Sequence, residues 1–185
     1  PLGWLFVRRQ LSRSMPLLPV DLLRIPIFAL SIGSSITAFA GQMLAMVSIP
    51  FYFQQQLGLN AMQTGLLMTP WPLATMVSAP LAGRLLERFH AGLLGGIGML
   101  LFAGGLWGLA ALPDKPGTGA ILGWMVLCGA GFGLFQSPNN HTIITAAPLH
   151  RSGGASGMLS TARLVGQTSG AALVALMFNL FVDNG

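Results

Sequence analysis

The sequence predicts an all-α bundle of about five membrane-spanning helices, and three observations carry that prediction. Of the 185 residues, 53% are hydrophobic and only 7% charged, with a mean hydropathy of +0.71. Soluble domains carry about 25% charged residues, because a surface facing water needs them. Several uncharged stretches reach the ~20 residues that a helix needs to cross the ~30 Å hydrocarbon core. The charges fall between these stretches: none lies between Arg24 and Arg84, or between Arg88 and Asp114.

Turn residues and charges divide the chain. Residues 1–25 read as the end of a preceding helix plus a basic cytoplasmic linker. The apolar PLGWLFV comes before Arg8 and Arg9, whereas a signal peptide carries its positive charges ahead of its apolar region. The chain is therefore expected to be a piece of something longer. Residues 26–185 read as a partial C-terminal transmembrane domain, with spans at about 26–53, 61–83, 92–112, 120–146 and 154–180. Between them lie QQQLGLN (54–60), the 84–91 loop, PDKPGTG (113–119) and the 147–154 loop, whose Pro, Gly and polar residues stop helices.

Five alternating spans put Arg8, Arg9, Arg13, Arg24, Arg84, Arg88 and Arg151 on one side and Lys115 on the other. Cytoplasmic loops are the ones enriched in Lys and Arg, so the arginine-bearing side is expected to face the cytoplasm. The sequence pI near 11.2 does not point to nucleic acid, because the arginines punctuate apolar runs instead of clustering on a polar face. Cys128, the only cysteine, sits in an apolar run and reads as a small packing residue.

Pairs of glycines four apart occur at 92/96, 104/108, 129/133, 153/157 and 166/170. Small residues at this spacing let helices approach closely in lipid, where apolar attraction cannot drive association. Pro70, Pro72 and Pro80 are expected to bend or break span two, either as a plain kink or as the border of a cavity.

No enzymatic constellation is present. The chain has no close pair of carboxylates, no metal-ligand spacing of His and Cys, no Gly-x-Ser-x-Gly elbow and no phosphate loop. Neither a metal nor an organic cofactor is expected.

Residues 83–88 read Gly-x-Leu-x-Glu-Arg in a short loop between spans two and three. This resembles the signature Gly-x-Leu-x-Asp-Arg-x-Gly-Arg-Lys of the major facilitator superfamily. His90 stands at that signature's second glycine, and Ala91 and Gly92 at its basic pair. Pro148, Arg151, Ala155, Ser156, Gly157, Thr161, Arg163 and Gly166 keep the order found in the second half of its fourteen-helix drug:proton antiporters. The approach Leu-Leu-x-x-Asp-Leu-Leu-Arg at 17–24 is similar too. The resemblance implies the first five helices of a C-terminal six-helix half, which alone should not transport. It further implies a missing N-terminal half as partner, membrane lipid around both, and a bacterial inner membrane. The implied activity is proton-driven export, by alternating access, of small amphipathic or cationic drugs. A carrier of sugars or organic acids, or a non-transporting membrane protein, is the alternative.

The resemblance assigns Gly83, Arg84, Glu87 and Arg88 to a conformational latch, with Glu87 bonded to an arginine or to helix-end amides in one state. A solvated, topology-anchoring turn is the simpler reading. It also places Phe39, Gln42, Met43, Met46, Phe135, Gln136 and Asn139 on helices lining a central cavity. From the residues themselves, Arg163 is the one charge inside a span, where ionised groups are costly and point to function. His141 and Gln167 are further polar candidates, His141 as a proton relay or a packing residue. No Asp or Glu lies within a span, so a proton-carrying carboxylate is expected elsewhere in the transporter.

Overall fold

A computed structural model describes residues 20–113 and 115–182. The expected start at 1–7 and Arg8, Arg9 and Arg13 lie outside the described residues, as does Asp114. The described residues form six α-helices and no strand. These are α1 (Pro26–Gln55), α2 (Ala61–Met68), α3 (Pro70–Leu85), α4 (Ala91–Ala110), α5 (Thr118–Ala146) and α6 (Ser152–Val182). A 3-10 turn, Val20–Arg24, leads into α1.

Among the described residues, α1, α4 and α5 are each long and apolar enough to cross a membrane. Their outer faces are apolar too: Leu100 and Trp107 on α4 are 75% and 76% exposed. A surface of that kind suits lipid and not water.

The interval 61–83 is built from two helices, and the prolines explain why. Pro70 opens α3 and Pro72 follows it, and neither has an N–H to give to the preceding turn. Thr69 covers part of the loss. Its N–H reaches the carbonyls of Gly65 and Leu66, and its hydroxyl donates to Gly65 at 2.8 Å. Asn60 starts α2 with a reciprocal capping box to Gln63.

α5 is the central strut. It packs along α4 and α3 and also meets α1, while α1 packs along α6. Glycine sets the spacing. A Cβ on Gly131 of α5 would strike the Phe102 amide of α4, and one on Gly98 would strike the Phe135 amide in return. Gly129 and Gly133 lie against Trp71 and Ser78 of α3, and Gly166 and Gly170 against Ile36 and Ala40 of α1. Two of the five sequence pairs thus seat helices together, and Gly108 of a third meets Trp124. Gly92, Gly96, Gly104, Gly153 and Gly157 have nothing within 4 Å.

A chain of edge-on rings crosses this core. Phe39 (α1) meets Phe132 (α5) at 5.3 Å, Phe132 meets Phe102 (α4) at 5.5 Å, and Phe102 meets Trp71 (α3) at 5.7 Å. All four residues are at most 4% exposed, and Cys128 is buried beside them. Edge-to-face contact adds about 0.5–1.5 kcal/mol per pair beyond burial, and it fixes ring orientation.

Candidate transport site

The candidate residues separate into three places. Gly83 and Arg84 close the last turn of α3, Glu87 and Arg88 follow in the α3–α4 connection, and all four are exposed. The turn is tied by backbone bonds, Glu87 N–H to Arg84 O and Arg88 N–H to Leu85 O at 3.3 and 3.0 Å. Among the described residues Glu87 makes no ion pair and its carboxylate accepts no hydrogen bond. In this conformation the loop is a solvated turn.

The second place is a cavity of about 640 Å³ between α1, α4 and α5, at the arginine-bearing end. Phe135, Asn139 and His141 line it, together with His90 and Phe89 from the α3–α4 connection. Asn139 is already committed: its amide donates to the Ser35 hydroxyl at 2.7 Å and to the Ser31 carbonyl at 3.2 Å. It is 9% exposed, and Ser35 is fully buried. Such interhelical bonds in lipid are worth about 0.6 kcal/mol on average and up to ~1.7. Asn139 therefore clasps α5 to α1. His141 is exposed on the rim of the cavity.

The third place is the α1–α6 contact. Arg163, half-buried on α6, lays its guanidinium over the Phe39 ring of α1, 4.9 Å from the centroid. Its Nε is buried without a hydrogen-bond partner. Gly170, two turns further on, sits against the Met43 Cβ. Gln167 is half-buried on α6, one turn from Arg163. Gln42 and Gln136 are half-buried on α1 and α5. Met46 packs against the aromatic core.

At the arginine-bearing end Arg151 donates to Asp21 at 2.9 Å. This pair ties the turn before α1 to the α5–α6 connection, and residue spacing gave no sign of it. The two partners stand 130 positions apart, and only the packing of α1 on α6 brings them together.

The sequence that builds this all-helical bundle is similar to those of known proteins. The family model described as Major Facilitator Superfamily matches residues 4–171. The chain belongs to the major facilitator superfamily. It is a family of transporters, not of enzymes. The chain is 68% identical, over 99% of its length, to the uncharacterized transporter YebQ of Escherichia coli. It is 29% identical over 93% of its length to the tetracenomycin C resistance and export protein of Streptomyces glaucescens. It is 28% identical over 97% to the multidrug efflux pump LfrA of Mycolicibacterium smegmatis. The chain spans 40%, 32% and 36% of the lengths of these three relatives.

Proposed function

We propose that the chain forms five helices of the C-terminal half of a drug exporter in a bacterial inner membrane, driven by the proton gradient. The observation that carries this reading is that two relatives named for export or efflux match along more than nine-tenths of the chain. Its mechanism is alternating access, with this bundle rocking against an N-terminal half around a midplane site. The six helices contain no Asp or Glu, so the proton-carrying carboxylate belongs to the remainder of the transporter.

The proposed site in this half draws on Phe39, Gln42, Met43, Met46, Gln136, Arg163 and Gln167, of which Phe39 and Arg163 meet at the α1–α6 contact. The proposed latch is the 83–88 turn, with Glu87 meeting groups beyond the described residues in the other conformation. Small amphipathic compounds suit this half. Cationic ones suit it poorly, because the one charge inside its spans is itself positive.

The test is efflux by the complete transporter in a bacterium stripped of its own drug pumps. Expression is expected to lower the intracellular level of amphipathic dyes and to lose that effect when a protonophore collapses the gradient. Unchanged dye levels, with uptake of a sugar or organic acid instead, would replace this reading with a metabolite carrier.

A further inference from the structure

On the reading of residues 154–180 as a span, Arg163 is the charge within it, and it is held in an unusual way. It lies about 16 Å along α6 from Ser152 at helical rise. Its guanidinium carbon rests on the face of Phe39. That ring cannot turn away, because Phe39 is 4% exposed and Phe132 meets it edge-on. Gly166 keeps the two backbones close just above, against Ile36 and Phe39. The arginine is therefore seated on an aromatic face while its Nε–H, buried, has no acceptor among the described residues. A buried donor on a charged group is costly to leave unmade. The described helices offer no carboxylate to it, since their only other charge is Arg84, exposed in the last turn of α3.

We propose that Arg163 is the anion-recognition group of this half, and that its unpaired Nε–H is kept for a carboxylate. The proposal rests on the transport reading above. The carboxylate has two sources with one chemistry: an amphipathic substrate bearing an anionic group, or an acidic side chain in the remainder of the transporter. The aromatic face of Phe39, which would otherwise attract a cationic drug, is already taken by the guanidinium. A cation entering here meets a like charge in a medium of low dielectric. Substrate discrimination by charge thus follows from one residue and its seat.

The experiment uses the complete transporter in proteoliposomes under a proton gradient, with carboxyfluorescein, ethidium and an uncharged dye of similar size. If the substrate supplies the carboxylate, Arg163→Gln lowers carboxyfluorescein transport about tenfold and leaves ethidium equal or faster. Arg163→Lys keeps the charge and recovers part of the anionic rate, which separates recognition from misfolding. Phe39→Leu, which keeps apolar bulk but removes the ring, narrows the preference for the anion. If an internal acid supplies it, Arg163→Gln slows all three dyes alike, and neutralising that acid restores them. If the wild type moves none of the dyes, the transport reading fails. Fluorescence polarisation of carboxyfluorescein on the purified protein then still decides the role of Arg163. Unchanged transport rates for all three dyes, with equal carboxyfluorescein binding, in wild type and Arg163→Gln would overturn the assignment.

Discussion

Along α5, the side facing α3 and α4 is sealed by glycines and aromatic rings, whereas the contacts of α1 carry an arginine, an asparagine and two serines. On the first side Gly98, Gly129, Gly131 and Gly133 bring backbones into contact, and Thr75 donates across to the Gly129 carbonyl at 3.0 Å. On the second, Asn139 bonds Ser31 and Ser35, and Arg163 covers Phe39. Both sides join helices in an environment where burying apolar surface yields little, since lipid is as apolar as leucine. The dry seam achieves this by shape. The α1 side adds polar groups, and each side keeps one buried polar atom without a partner among the described residues, Trp71 Nε1 in the seam and Arg163 Nε beside α1.

Breaking the dry seam should have the largest effect. Gly131→Leu forces α4 away from α5 and is expected to cost about 3 kcal/mol. The check is loss of monodisperse protein in detergent and a lower Tm. On the α1 side, Asn139→Ala removes two buried hydrogen bonds and is expected to cost about 1–2 kcal/mol, read as a lower Tm with the fold retained. Arg151→Ala removes a pair whose Asp21 side chain is 42% exposed, so the loss should be about 0.5 kcal/mol or less and should vanish in high salt. At Gly157, where a Cβ meets nothing within 4 Å, alanine should be neutral or stabilising by up to about 1 kcal/mol. A cost at Gly157 comparable to that at Gly131 would erase the distinction between seam and open face.

The sequence was informative where the controlling physics is local. Sparse charge and long apolar runs announced α1, α4 and α5, and Pro70 and Pro72 announced an irregularity in the second span. Glycine spacing was half informative. It selected Gly129/Gly133 and Gly166/Gly170 correctly, yet gave equal weight to Gly92/Gly96 and Gly153/Gly157, which face open space. It missed Gly98 with Gly131, since those two glycines meet across a helix crossing. The same limit hid the Asn139–Ser35 clasp, the Asp21–Arg151 pair and the chain of rings from Phe39 to Trp71. Each depends on the register between helices, which no spacing within one helix encodes. Arg163 was legible because a charge inside a long uncharged run is conspicuous, but its seat on Phe39 was not.

The central claim to test is that these helices cross a bilayer with the arginine-bearing turns in the cytoplasm. Cysteine accessibility tests this directly, because the native Cys128 is fully buried in α5 and should contribute little background. Single cysteines at Gln56 and Lys115 should react with a membrane-impermeant maleimide in intact cells. Cysteines at Phe89 and His150, both exposed, should react only after permeabilisation. Labelling at Phe89 and His150 in intact cells, with Gln56 and Lys115 protected, would contradict it.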